Sequence, residues 1–260
     1  KEQSKVNGKI SIRLASRAGL SDDKVDIFIY PEKCCYSNVF PHEIPAVLES
    51  HFQDGKTSSS SAVKIEQEQI FICTHGRHDK CCAKFGQELA DKMRYHVSKQ
   101  KTAVEVWESS HLGGHRFAPT MIDFPAGRAY GQLSPDEITK FLECRKVGQV
   151  YGSAYRGSVF LSDLEQVAEA HIQHYCSARN WFCRVQINKL EKITEERFRC
   201  IATFSTIKNS VVSQSNIPEE QLFSFKLKSF ESPSRCDDVE GPQLRKCWEL
   251  DSPIPHNHLL

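Results

Sequence analysis

Ile70-Phe71-Ile72-Cys73-Thr74-His75-Gly76-Arg77-His78-Asp79-Lys80-Cys81-Cys82-Ala83 is the stretch on which the reading of this 260-residue chain turns. Its first three residues make a short apolar run, as expected of a strand buried on both faces. A polar loop follows. Over 83–98, Leu89, Met93 and Val97 then recur at helical spacing. Further on, Ala103-Val104-Glu105-Val106-Trp107-Glu108 alternates like a strand, and the segments 121–124 and 128–133 flank Pro125-Ala126-Gly127, which is hairpin chemistry. Ser134-Pro135-Asp136-Glu137 opens a helix, with Ser at the N-cap, Pro at the first position, Glu at the third, and Ile138, Phe141 and Leu142 behind. Strand, helix, strand, hairpin, helix is the order of a thioredoxin-like sandwich. The predicted fold class is therefore α/β, although other small α/β folds share that pattern.

Outward from this centre the signals weaken. Before it, strands are expected over 8–14 and 25–30 and a short helix over 41–51. The polar stretch Gln53-Asp54-Gly55-Lys56-Thr57-Ser58-Ser59-Ser60-Ser61 then reads as a linker. After it, Ser162-Asp163-Leu164-Glu165 caps a helix running to Tyr175. Strands over 182–190, 198–204 and 222–227 predict a β-rich appendage. The tail from Ser232, rich in Pro and polar residues, reads as irregular. The expected units are an N-terminal α/β segment with its linker (1–62), a central α/β domain (63–146), and a C-terminal helix plus β-rich appendage (147–260). The sequence shows no internal repeat.

Composition narrows the function. With 39% hydrophobic and 26% charged residues the chain is globular rather than disordered. Thirty-four basic against thirty-three acidic residues leave a formal charge of +1, which removes the electrostatic reason to expect nucleic acid or an anionic membrane as partner. No apolar stretch approaches the roughly eighteen residues of a membrane span, so a soluble protein is expected. The eleven cysteines are odd in number and irregular in spacing, and the adjacent pairs Cys34-Cys35 and Cys81-Cys82 have poor geometry for bridging each other. The N-terminus does not read as a secretory signal, and the chain opens at Lys1 rather than Met, so an N-terminal piece is expected to be missing. Together these features predict thiol or metal chemistry in a reducing compartment, the cytoplasm.

Thiolate and imidazole are the side chains that bind zinc or iron–sulfur iron. Cys73, Cys81 and Cys82 flank one loop, and His111-Leu112-Gly113-Gly114-His115 supplies a second donor pair. Gly113 and Gly114 can take turn conformations that aim both histidines at one centre. Each donor group directly follows a strand candidate, so neighbouring strands would bring the loops together at one sheet end. Any of these residues alone has an ordinary structural explanation; as a set they predict a metal centre. His75 and His78 are competing ligands. Arg77, Lys80 and Arg116 would place positive charge beside the ligands or dock an acidic partner, and Trp107 would shield the centre or belong to the core. His171, His174, Cys176 and Cys183 form a weaker zinc-like set, better read as helix residues with an incidental thiol. Cys34-Cys35 reads as a structural pair.

The segments Cys-Thr-His-Gly-x-x-Asp-x-Cys-Cys-Ala at 73–83 and Trp-Glu-x-Ser-His-Leu-Gly-Gly-His-Arg-Phe-Ala at 107–118 resemble the sucrase/ferredoxin-like family. That family includes the yeast actin-patch-distribution protein and is related to thioredoxin-like ferredoxins. Pro125-Ala126-Gly127-Arg128-Ala129-Tyr130-Gly131 and Tyr155-Arg156-Gly157 support the match. The resemblance is strong over 70–133, weak to 171, faint before 60 and absent after about 180. It implies a thioredoxin-like ferredoxin domain with a [2Fe–2S] cluster held by Cys73, Cys82, His111 and His115. Cys81, one residue from the matched position, remains an alternative to Cys82. The job implied is one-electron transfer or redox sensing with a partner protein that the sequence does not name.

Charge arithmetic gives that ligand set a purpose. Two ferric ions and two sulfides sum to +2, and two thiolates with two neutral imidazoles bring the total to zero, against −2 for four thiolates. The histidines therefore ease reduction and raise the potential. Were their outer ring nitrogens to titrate, the potential would fall by up to about 59 mV per pH unit. The rival readings are a structural zinc site in an interaction module, and a thiol oxidoreductase using Cys73, Cys81 or Cys82, which lacks the usual Cys-x-x-Cys. Sugar hydrolysis, which the family name suggests, needs two carboxylates across a cleft. Glu105 with Glu108, and Asp163 with Glu165, read instead as surface and cap residues.

Overall fold

The computed structural model describes residues 13–16, 23–53, 62–76, 80–100, 102–207, 217–232 and 243–254. In chain order the first elements are β1 (Ala15–Ser16), β2 (Val25–Ile29), β3 (Cys34–Val39), α1 (Ile44–Gln53), β4 (Val63–Lys64) and β5 (Glu68–Cys73). Next come α2 (Lys80–Gln100), β6 (Val104–Ser109), β7 (Thr120–Phe124), β8 (Arg128–Gly131), α3 (Ile138–Lys146), β9 (Tyr155–Ser158) and α4 (Asp163–Ser177). The chain continues through β10 (Cys183–Thr194), β11 (Arg197–Thr206), β12 (Glu220–Ser232) and β13 (Gln243–Ile254).

The site-bearing layer is a six-stranded sheet in the order β1-β6-β5-β7-β8-β9. β5 and β6 are parallel, joined by the crossover helix α2, while β7 runs antiparallel to β5 and β8 antiparallel to β7. Strand–helix–strand followed by hairpin–helix, with only the third of those four strands reversed, is the thioredoxin-like arrangement that the element order predicted. Its physical cause is the apolar run of β5. Ile70 and Ile72 face α2 and α3, where they meet Leu89, Met93, Phe141 and Leu142 in one buried cluster. Phe71 points the other way, towards Trp107, Phe124 and Phe28 of the small sheet β2-β3-β4, with ring centroids 5.7–6.3 Å apart. A strand covered on both faces has no polar side to alternate with. Trp107 is thus a core residue on the face turned away from α2. Its burial is worth at most about 5 kcal/mol by apolar area.

Polar clamps complete this layer. Arg145 at the end of α3 pairs with Asp123 of β7 at 2.8 Å and with Glu68 of β5, tying the last helix to two strands. Ser134 with Glu137 and Ser162 with Glu165 form the capping boxes that the sequence signalled. Glu165, considered above as half of a carboxylate pair, is therefore a helix cap.

The C-terminal appendage is a four-stranded antiparallel sheet, β10-β11-β12-β13, whose inner face packs on α4 through Phe198, Cys200, Ala202, Phe223 and Phe225. Here the sequence reading needs correction. The tail after Ser232 is not irregular throughout, because Gln243–Ile254 pairs along β12 as the outermost strand. Trp248 and Leu250 sit two apart on its inner face, and Trp248 meets Phe198 edge-on at 4.8 Å. The Pro- and Ser-rich composition masked this period of two, and the strand tolerates Pro253 because it lies at the sheet edge. The expected strand over 8–14 falls mostly outside the described residues, and the first described strand starts at Ala15. Strands β3, β4 and β9 were not foreseen. Each is six residues or shorter, and β4 and β9 are edge strands of their sheets. Among the described residues, no helix is long and apolar enough to cross a membrane.

Candidate metal centre

The parallel register of β5 and β6 sets Cys73 opposite Ser109, so the two loops that carry the sulfur and nitrogen donors leave the sheet side by side. The Thr74 amide donates to the Ser109 carbonyl at 3.1 Å, and the Thr74 hydroxyl donates to Glu108 at 3.3 Å. Glu108 is in turn bound to Arg94 of α2 at 2.6 Å. Strand end, strand end and helix are thereby tied together around Cys73. Glu108, like Glu105, which accepts from Gln69 and Trp107, is held in structural contacts rather than facing a sugar cleft.

Two glycines bring the second sulfur close. A Cβ at Gly86 would lie 1.9 Å from the Cys73 carbonyl oxygen, so α2 can press its first turns against the end of β5 only because residue 86 has no side chain. A Cβ at Gly76 would meet the Ala83 Cβ at 2.8 Å, which closes the loop onto the same helix. Cys82, one helical turn before Gly86, is carried to Cys73 by this approach. Both cysteines are completely buried, whereas Cys81 is half-buried. On the other loop Gly113 and Gly114 take φ of +90° and +66°, the left-handed region where a side chain is disfavoured, and turn the chain back after His111.

The outcome is one group of donors. The Cys73 and Cys82 sulfurs and a ring nitrogen of His111 all lie within 4.8 Å of one another, and among the described residues no other set of three His, Cys, Asp or Glu donors converges in this way. A hydrogen bond from Cys82, with further donation from the His75 and Leu112 amides and the positive side of His111, lowers the Cys73 thiol to about 5 against the opposing effect of burial. That is the direction of a sulfur prepared to be a thiolate, the form that binds metal.

The remaining site residues named from sequence fall as follows. His115 opens the 3₁₀ turn His115–Phe117, and its side chain lies outside the described residues, as do Arg77 and His78. His75 is not in the donor group; its Nδ1 is buried with no hydrogen-bond partner among the described residues. Lys80 and Arg116 are exposed. His171 and His174 each place a ring nitrogen 2.9 Å from a backbone carbonyl, of Trp248 and Tyr155, so neither forms a zinc set with the neighbouring thiols. The sequence reading did not pick out Gly76, Gly86 or the Thr74–Glu108–Arg94 chain. The available signal was Gly86 itself, a glycine inside a helix, which costs about 1 kcal/mol relative to Ala and so marks a close approach.

A family model for the sucrase/ferredoxin-like proteins matches residues 3–157, more than half of the chain. The chain belongs to the sucrase/ferredoxin-like family. Within the wider set of relatives it is 28% identical over 101 residues to the altered inheritance of mitochondria protein 32 of Debaryomyces hansenii, covering 36% of this chain and 37% of that one. The protein of the same name from Clavispora lusitaniae is 27% identical over 97 residues, 36% of each chain. The match thus spans little more than a third of these curated relatives. Among solved structures, a thioredoxin-like [2Fe–2S] ferredoxin from Aquifex aeolicus shares 16% identity at a TM-score of 0.33, over 36% of this chain and 94% of that one. The fold of this sucrase/ferredoxin-like chain rests on its own strand order, and its site on its own donor atoms.

Proposed function

We propose that this protein carries a [2Fe–2S] cluster held by Cys73, Cys82, His111 and His115 and serves as a one-electron carrier or redox sensor. One observation carries the reading: two fully buried sulfurs and an imidazole nitrogen converge within 4.8 Å at the end of a parallel strand pair, on segments that match a ferredoxin-like family. The residues suit such a group. Sulfur and imidazole are the donors that iron–sulfur centres take, and the backbone amides of His75 and Leu112 aim at Cys73, stabilising the thiolate that ligation requires. A cluster of this kind supplies one-electron chemistry at a potential raised by its histidine ligands. The chain itself contributes a dry sulfur side, through Cys73 and Cys82, and a half-exposed His111 beside which a partner is met.

The same reading assigns the chain to the cytoplasm and to a redox partner protein, with neither nucleic acid nor membrane as its target; the near-zero net charge supports the latter two points. Anaerobic purification with iron and sulfide analysis, followed by electron paramagnetic resonance of the reduced protein, tests the centre. The expected result is a red-brown protein with two irons and two sulfides per chain and a rhombic signal on reduction. A colourless protein holding one zinc per chain would replace the cluster with a structural zinc site.

A further inference from the structure

Arg94, Arg128 and Arg145 all direct their guanidinium groups at carboxylates or backbone carbonyls. Arg156, on β9, does not. Its guanidinium carbon lies 4.4 Å from the centroid of the Phe117 ring, and Nη2 donates to the Gln132 side-chain oxygen at 3.0 Å. Its Nε is buried without a hydrogen-bond partner, and among the described residues no carboxylate pairs with it. A half-buried cation with an idle donor is costly, and such a group calls for an explanation in what it holds.

What it holds is the histidine loop. Phe117 ends the turn that begins at His115; its amide donates to Gly114 at 2.7 Å, and its carbonyl accepts from the Gln132 amide at 2.8 Å. It sits in a slot on β8 that exists because residue 131 is glycine: a Cβ there would lie 2.7 Å from the Phe117 Cβ, 2.9 Å from its carbonyl oxygen and 3.5 Å from Arg156 Nε. Arg156 lies over the ring, which otherwise stays partly exposed. A planar guanidinium can stack on a ring and donate in its own plane at the same time, which an ammonium cannot.

We propose that Arg156 is a positioning residue for the metal centre: stacked on Phe117 and bonded to Gln132, it clamps the His115–Phe117 turn to β8 and so sets how the histidine loop approaches the two cysteines. This rests on the reading that the loop ligates a cluster, and the test separates the two. The full-length protein is compared as Arg156→Ala, Arg156→Lys, Phe117→Leu and the double variant Arg156→Ala/Phe117→Leu. In the protein as purified, whatever metal it holds, hydrogen exchange at the Phe117 and Gln132 amides is expected to accelerate roughly tenfold in each single variant, the lysine included. The double variant should be no faster than the faster single one, because both remove the same contact. In protein that carries the cluster, iron loss to a chelator is expected to quicken about tenfold, and the histidine-nitrogen couplings in pulsed electron paramagnetic resonance should shift, with far-ultraviolet circular dichroism unchanged. Wild-type exchange and iron loss in Arg156→Lys, or additive effects in the double variant, would overturn the clamp. Absence of iron from the unmodified protein would sink the cluster reading alone, since the exchange measurement still judges the clamp. Should Arg156→Ala fail to fold, Arg156→Lys and Phe117→Leu carry the comparison.

Discussion

Among the described residues, two pairs of buried cysteines each link a helix to a strand, and only one of the pairs faces an imidazole donor. Cys73 and Cys82 join the end of β5 to the start of α2; Cys176 and Cys183 join the end of α4 to the start of β10. Burial is nearly the same for all four. The surroundings differ. Cys73 accepts a hydrogen bond from Cys82 and, unlike the second pair, also receives backbone amides and faces His111; together these lower its thiol to about 5. Cys176 and Cys183 lie in an apolar cluster with Phe198, Phe223 and Phe225, and the hydrogen bond between them, helped by burial, pushes the Cys176 thiol up while it lowers that of Cys183. The nearby imidazoles, His171 and His174, are occupied by backbone carbonyls. Burial and a sulfur–sulfur hydrogen bond are thus common to both pairs; the oriented amides and the converging imidazole mark Cys73 and Cys82 as the candidate donors.

The sharpest way to break this contrast is to remove one thiol from each pair. Cys73→Ser or Cys82→Ser should abolish iron incorporation, measured by metal analysis, whereas Cys176→Ser should retain it in full. Equal iron loss in all three would mean that the two pairs do not differ in kind. The next effect is steric. Gly86→Ala drives a methyl group into the Cys73 carbonyl, so α2 must back away from β5; destabilisation of about 2–3 kcal/mol in denaturant unfolding is expected, with iron content falling as well. In the apolar pair, Cys176→Ala should cost about 1 kcal/mol with iron content unchanged.

The seam between the regions gives a subtler test. Glu169 of α4 accepts from the Tyr155 hydroxyl at 2.8 Å and the Ser158 amide at 2.9 Å on β9, yet its burial raises its pKa above the ordinary 4.5. With the folded value above the unfolded one, the native state holds the proton more tightly. Stability contributed by the protonated group is thus full below about pH 4.5 and declines as pH rises through the folded value. Glu169→Gln should flatten that decline in thermal melts taken across acid to neutral pH; an unchanged slope would remove Glu169 as its source. Smallest of all, Arg94→Ala breaks a partly exposed pair with Glu108 and should cost about 1 kcal/mol or less, weakening with salt.

Legibility in the sequence followed the local physics of each element. The run 70–73 reads as a strand because both its faces are covered, 103–108 reads as one by its alternation, and α2 was announced by Leu89, Met93 and Val97. The capping boxes at Ser134 and Ser162 located two helix starts. β13 was hidden because its alternation of Trp248 and Leu250 is short and sits among prolines and serines. Short edge strands such as β4 carry too little pattern to be seen at all. Within the site, the donor types and their glycine-bent spacing were visible, while the contact of Gly86 with Cys73 was not, since residues 73 and 86 meet only after β5 and α2 have packed.

By itself, then, the order of residues determined the layer of strands and helices, the presence of sulfur and imidazole donors on two loops, and the balance of charge. Those properties depend on side-chain chemistry and on neighbours a few positions away. Which of Cys81 and Cys82 turns inward beside Cys73, which buried thiol pair meets an imidazole, and which arginine comes to rest on Phe117 were decided only by tertiary packing. Each depends on the distance between atoms far apart along the chain, and that distance is set by how closely one helix can approach one strand.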